Sequence, residues 1–236
     1  MRRHSDLHQS AAISAVLLVL LFALPLAVVV PFQTELFSDD PIAVESEREP
    51  FQPGDLDGEM VLKVLAGDTV EEMTLGEYLV GVVRAEMPAS FSQEALKAQA
   101  VAARTFAVKR AMAGTVIDDT TSFQAYRAPL AESSPRSRQA VEETAGQVLT
   151  YGGEVIDCFY SASNGGTCKR SGEVWSRDYP YYVNKPDPWD TAARTEKPTD
   201  PSHGVGLSQV GCMWAAKQGV PYNEILAFYY NGAALV

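Results

Sequence analysis

Glu86 is the residue of this chain whose placement most suggests chemistry. Leu75, Leu79, Val82 and Glu86 are spaced four, three and four apart, so on a helix they share one face. Three of them are core residues; the fourth is a carboxylic acid, followed directly by Met87 and Pro88. A helix stopped by that proline puts Glu86 in its last turn, where the helix dipole is negative. Apolar neighbours and the dipole both oppose the ionised form, so the carboxyl is expected to hold its proton more tightly than usual. A carboxyl kept protonated near neutral pH is a general acid. Spacing alone leaves two other readings open: a surface glutamate at a frayed helix end, or one paired to Arg84 or Arg104. A second set of reactive side chains is Cys158, Cys168, Cys212 and His203. Three readings stay open for the cysteines: a Cys158–Cys168 disulfide, buried free thiols, or a metal site completed by His203. Their spacing is not that of a standard zinc motif, and no metal or cofactor is expected. His203 is expected to organise its loop, where Gly204 and Gly206 permit a tight backbone.

The elements that must position these groups are legible in outline. Residues 60–66 predict a strand, Gly67-Asp68 a turn, and residues 69–73 a return strand. Thr74 with Glu77 forms a capping box that starts a helix at Leu75. Ser90 with Gln93 reads as a second box, opening a long alanine-rich helix to about Ala113, with Gly114 after it. Residues 115–133 read mostly as loop. Ser134-Pro135 opens a helix to Ala145, and residues 147–151 and 154–160 form a hairpin around Gly152-Gly153. Residues 176–203, rich in aromatics and proline, read as an ordered loop. Residues 208–218 and 222–230 read as the last two helices. Helices and hairpins without regular strand–helix alternation predict an α+β fold in one globular domain.

Composition bounds the partners and the compartment. The chain has 236 residues, 46% hydrophobic, with a formal net charge of -11. That is globular composition, and nucleic acid is not an expected partner of so acidic a chain. Three cysteines are too few for a disulfide scaffold. Ala11 to Phe32 is a run of 22 residues without a charge. As a helix it would span roughly 33 Å, the thickness of a bilayer core. Arg2 and Arg3 precede it, and the net charge of residues 33–60 is -8. The positive-inside rule then gives a cytoplasmic tail over 1–10, a transmembrane helix over 11–32, an acidic linker over 33–59 and an extracytoplasmic domain over 60–236. A cleaved signal peptide is the alternative, although no small-x-small site stands near Pro31.

Glu86-Met87-Pro88, followed by Glu94-Ala95-Leu96-Lys97-Ala98-Gln99-Ala100-Val101-Ala102-Ala103-Arg104-Thr105-Phe106-Ala107, resembles the sporulation stage II protein D family. Similar in order are Thr120-Thr121-Ser122 with Gln124 and Tyr126, the Ser163-Asn164-Gly165-Gly166 turn, Asp187-Pro188-Trp189-Asp190 and His203-Gly204-Val205-Gly206-Leu207-Ser208-Gln209. The resemblance implies a membrane-anchored lytic transglycosylase of peptidoglycan. It would cut glycan strands already stripped of stem peptides by a partner cell-wall amidase, alongside membrane proteins of the engulfment machinery. It puts the catalytic acid at Glu86 and a functionally required arginine at Arg104. Arg104 would orient Glu86 or the sugar; a plain helix-surface arginine is its alternative. Gln99, Gln124, Tyr126, His203 and Gln209 become candidate substrate-binding residues. Tyr179, Tyr181, Tyr182, Trp175 and Trp189 are candidates to stack on sugars, with core or loop packing as the blander alternative.

The chain departs from the family pattern twice. A longer, strand-rich segment commonly separates Asp-Pro-Trp from His-Gly-Val-Gly, where this chain has only Asp190–Ser202. Tyr160 also stands where histidine is usual before the Ser161-Ala162-Ser163-Asn164-Gly165 stretch. Two other functions compete with the transglycosylase: a non-catalytic glycan-binding scaffold for a partner amidase, made plausible by the missing segment, and a zinc-dependent hydrolase built on the cysteines, whose case the loss of that histidine weakens.

Overall fold

The structure, a computed structural model, describes residues 55–66, 69–115, 117–118, 124–128 and 134–236. The expected tail, the membrane span over 11–32 and Thr120-Thr121-Ser122 lie outside the described residues. No helix among the described residues is long and apolar enough to cross a membrane. Helices and small sheets mix in one compact unit, consistent with an α+β domain.

A long buried helix organises the rest. The elements before it are α1 (Leu56–Glu59), β1 (Val61–Ala66), β2 (Thr69–Thr74) and α2 (Leu75–Glu86). Strands β1 and β2 pair antiparallel from Val61↔Thr74 to Ala66↔Thr69. Leu62 and Val64 point to the core, while Val61 and Leu65 are exposed, the alternation of a half-buried strand. The predicted capping box forms: Glu77 N donates to Thr74 Oγ1 at 3.3 Å, and Thr74 N donates to Glu77 Oε2 at 3.2 Å. Helix α3 (Gln93–Met112) is buried from Ala98 to Val108 on every face. A helix wrapped all round needs small side chains where neighbours press closest, and its alanines supply them. Helices α2 and α4 (Pro135–Glu143) pack against it from one part of the sequence. Helices α6 (Gln209–Lys217) and α7 (Tyr222–Tyr229) pack against it from another.

Four expectations need correction. Helix α3 begins at Gln93, after a turn in which Phe91 N donates to Pro88 O at 3.0 Å, so the Ser90 box does not form. Residues 56–59, read as the end of the acidic linker, are a helical turn whose Asp57 is bonded into the domain. The loop read over 115–133 contains β3 (Ile117–Asp118), paired parallel to β1. The loop read over 176–203 contains α5 (Pro188–Glu196), which starts where Asp187 caps the Trp189 and Asp190 amides at 3.0 Å. Asp-Pro is an N-cap with proline at the first helical position, the same signal that located α4.

Short strands bring the C-terminal half to the centre. The predicted hairpin forms as β4 (Leu149–Tyr151) and β5 (Glu154–Val155) about two positive-φ glycines, and β10 (Ala234–Leu235) pairs with β4 on its other side. Strands β6 (Tyr160–Ser161) and β9 (Leu207–Ser208) pair parallel, while β7 (Thr167–Cys168) and β8 (Lys185–Pro186) pair antiparallel. Gly206 makes the parallel pair possible. Its φ is +77°, and a Cβ there would overlap the Phe159 carbonyl. Gly206→Ala combines left-handed strain with a backbone clash and is expected to cost about 3 kcal/mol or more. A fall in the urea midpoint checks this; an unchanged midpoint would mean that β9 can withdraw from β6 without loss.

Candidate active site

Glu86 ends α2 on the face of Leu75, Leu79 and Val82, which are fully buried. Both its oxygens are held. Ala125 N donates to Oε1 at 2.8 Å, and Gln209 Nε2 donates to Oε2 at 2.8 Å. These bonds favour the ionised carboxyl, but burial outweighs them and holds its pKa above the ordinary carboxylate value. Gln209 Nε2 also approaches Gln99 Oε1 at 3.4 Å, so one amide bridges Glu86 to the long helix.

Each of these partners is delivered by its own scaffold. The segment 124–128 lies along α2, where Arg127 N donates to Gly81 O at 3.3 Å and Arg84 Nη1 donates to Ala128 O at 2.6 Å. Tyr126 lies on Gly81, in space that any Cβ would occupy, and stacks on Tyr78 with centroids 5.4 Å apart. Gln124 is buried, accepts from the Tyr160 hydroxyl at 2.6 Å and donates to Tyr78 at 3.3 Å. Those fixings aim the Ala125 amide. Gln209 opens α6, whose N-cap Ser208 accepts from Gly211 N at 3.0 Å.

Ser208 is locked by a buried network. Its hydroxyl donates to Asp190 Oδ2 at 2.5 Å, which also accepts from Asn164 N at 3.0 Å, while Ser163 Oγ donates to Asp190 Oδ1 at 3.1 Å. Asp187 Oδ2 accepts from Asn164 Nδ2 at 2.7 Å and from the Tyr229 hydroxyl at 2.8 Å. Both aspartates are fully buried and satisfied. Four stretches of the sequence thus meet at one polar knot behind the site and set where Gln209 stands.

A cleft of about 630 Å³ opens in front of Glu86. Tyr160, His203, Trp175, Phe159 and Arg110 line it. Glu86 is the sole carboxylate and Arg110 the sole lysine or arginine on its described wall. Trp175 is exposed and tilts against Phe159 at 4.7 Å and His203 at 5.1 Å. His203 Nδ1 accepts from Val205 N at 3.1 Å, which organises the loop, and burial lowers its pKa, so the ring is neutral at neutral pH.

Among the residues expected from sequence, Gln209 meets the Glu86 carboxyl, Gln99 contacts Gln209, and His203 stands on the cleft wall. Arg104 does not join them. It is fully buried, and its Nε and Nη2 donate to the two Asp57 oxygens at 2.7 and 2.8 Å. Its remaining bonds reach Thr144 Oγ1 and the Val141 and Gln147 carbonyls. It therefore neither orients Glu86 nor lies on the helix surface. Gln124 and Tyr126 also work from behind the site, because their side chains are spent on Tyr160, Tyr78 and Gly81. Tyr181 and Tyr182 are buried, with hydroxyls bonded to the 157–159 backbone. Tyr179 caps Asp157 Oδ2 at 2.8 Å, and Trp189 packs on Phe228 at 4.5 Å. Trp175 is left as the aromatic exposed at the cleft. The cysteines are buried free thiols; burial raises all three, Cys168 to about 12. Among the described residues no three of His, Cys, Asp and Glu gather to hold a metal ion.

Sequence reasoning did not find Ala125, Tyr160 or Arg110 as site residues. Ala125 acts through its backbone and leaves no side-chain signal. Arg110 had one: it lies eleven positions beyond Gln99 on α3, three helical turns along the same face.

The protein-family model described as "Stage II sporulation protein" matches residues 66–151, which span α2, α3 and the Ala125 segment. The chain is 34% identical over 219 residues to the stage II sporulation protein D of Bacillus subtilis (strain 168), across 81% of this chain and 63% of that protein. It is 38% identical over 141 residues to the protein of that name in Bacillus amyloliquefaciens, across 52% of this chain and 41% of that one. These matches support the assignment of this chain to the stage II sporulation protein D family. Glu86 and Gln99 lie inside the segment that the family model matches, and Gln209 lies beyond it. The chain is also 49% identical over 112 residues to a protein named "Amidase enhancer" from Bacillus subtilis (strain 168), covering 48% of this chain and 15% of that one. It thus spans less than two thirds of each of these relatives.

Proposed function

We propose that the domain is a peptidoglycan lytic transglycosylase that cleaves peptide-free glycan strands, with Glu86 as both acid and base. One observation carries this reading: a carboxyl with a raised pKa stands as the sole carboxylate on the described wall of a sugar-sized cleft. Ordinary glycosidases need two carboxylates, about 5–10 Å apart. An internal nucleophile needs one. Glu86 donates its proton to the glycosidic oxygen, the C1–O bond breaks, and an oxocarbenium ion forms on the muramoyl ring. The Ala125 and Gln209 donors hold the carboxylate just created. That carboxylate takes the proton of the muramoyl C6 hydroxyl as its oxygen bonds to C1. The product is a 1,6-anhydromuramoyl end, and Glu86 is again protonated.

The setting we propose is sporulation engulfment. The domain stands outside the membrane behind the 11–32 anchor, beside a cell-wall amidase that strips the stem peptides. The name of the amidase-enhancer relative supports the amidase link. The test is to incubate the protein with purified strands bearing or lacking stem peptides and measure soluble fragments. Release from peptide-free strands alone is expected. Binding of such strands without release would favour the scaffold for an amidase instead.

A further inference from the structure

We propose that Arg110 reads the free lactyl carboxylate of a muramoyl residue and so makes the cleft selective for strands whose stem peptides are gone. This rests on the reading of the cleft as a peptidoglycan site. Glu86, Gln99 and Gln209 explain proton transfer, but none of them distinguishes a peptide-free strand from a neutral sugar chain. Arg110 is the feature of the wall that can. It is the sole lysine or arginine lining the described cleft, and its side chain is about one-third exposed there at 32%. Its guanidinium is positioned but not consumed. It lies 4.9 Å from the centroid of the Phe106 ring, and Nη2 approaches Asp157 Oδ1 at 3.5 Å, a long contact. Asp157 also accepts from the Tyr179 hydroxyl at 2.8 Å, so its charge is shared. Among the described residues no other acceptor takes the Arg110 side-chain N–H groups, and a guanidinium offers five. A planar fork placed over an aromatic ring suits a carboxylate.

The geometry gives the fork reach along the strand. Gln99, buried behind Gln209, and Arg110, on the cleft wall, are about 16 Å apart along α3 at the usual helical rise. The site therefore presents a proton donor, Glu86 at the end of α2, and a cation, Arg110 on α3, at two separate points of one cleft. A muramoyl lactyl group is a carboxylate at neutral pH once its peptide is removed, and an uncharged amide before that. Removing the peptide thus creates the one anion this wall is built to accept.

The test measures binding in a Glu86→Gln background, so that strands are not consumed. The probes are peptide-free glycan strands and neutral chitooligosaccharides of matched length, titrated calorimetrically with and without Arg110→Gln. Arg110→Gln is expected to weaken binding of the peptide-free strands about 10- to 100-fold, the range for a hydrogen bond to a charged group. Chitooligosaccharide binding should be unchanged, and Arg110→Lys should recover part of the loss. Salt should weaken binding of the peptide-free strands before the substitution and much less after it. Equal losses for both probes, or no loss for either, would overturn the inference, as would equal affinity for the two probes with Arg110 intact. Because the readout is binding selectivity, it is separable from whether the wild type cleaves strands at all.

Discussion

Glu86→Gln is expected to abolish measurable cleavage of peptide-free strands while leaving the domain folded. General acid catalysis is worth about 10² to 10⁴ in rate, and here the same carboxyl serves as acid and then as base. The fold should tolerate the amide. Its oxygen can accept from Ala125 N, and its NH₂ then faces Gln209, which must turn its own oxygen inward. Gln99 can answer that turn, because its Nε2 is buried without a hydrogen bond of normal geometry in the wild type. Stability should shift with pH in a definite sense. The folded carboxyl binds its proton more tightly than the ordinary value of 4.5. Its stabilising contribution is therefore full below that value and is lost as pH rises through the folded pKa. The wild type should lose stability relative to Glu86→Gln on going from acid to neutral pH. Thermal unfolding of both proteins across that range checks the sign, and a constant difference would mean that Glu86 is not perturbed.

Arg104→Ala is expected to produce the opposite signature, a large loss of stability with catalysis intact in the folded molecules. Arg104 is fully buried and bidentate to Asp57, whose side chain is 14% exposed. Removing one partner of such a pair typically costs about 3–5 kcal/mol, because the other charge is left without compensation. It would also remove the Arg104 bond from the Gln147 carbonyl and release α1 from the domain. Denaturant titration should show the fall. Turnover per folded molecule, measured at low temperature, should stay within a few-fold of wild type. Loss of turnover at full stability would instead put Arg104 in the chemistry.

The contrast between these two residues shows how far the sequence could be read. Glu86 was legible because its anomaly is local: a carboxyl on an apolar helix face is visible in spacing alone. The capping box at Thr74, the Gly152-Gly153 hairpin and the Ser134-Pro135 start were legible for the same reason. Arg104 was not, because its partner Asp57 lies 47 positions away, in a stretch whose acidity and prolines resemble a linker. A bidentate ion pair leaves no periodicity. The aspartates of Asp187-Pro188-Trp189-Asp190 and the Ser163-Asn164 turn stood out as motifs, but only the fold shows that they build a knot behind Gln209 rather than line the cleft. Tyr126 is the converse case. It stood beside a site residue in sequence, yet the bare surface of Gly81 draws its ring onto α2 and leaves its neighbour's amide to meet Glu86.

The most direct measurement of the central claim is the mass of the ends that the wild-type protein makes. Peptide-free strands should be digested with the protein and the fragments analysed by mass spectrometry, with Glu86→Gln in parallel. Internal attack by the C6 hydroxyl predicts 1,6-anhydromuramoyl ends, lighter by one water than reducing ends, from the wild type and none from the variant. Reducing ends from the wild type, or anhydro ends formed equally well by Glu86→Gln, would contradict the single-carboxylate mechanism.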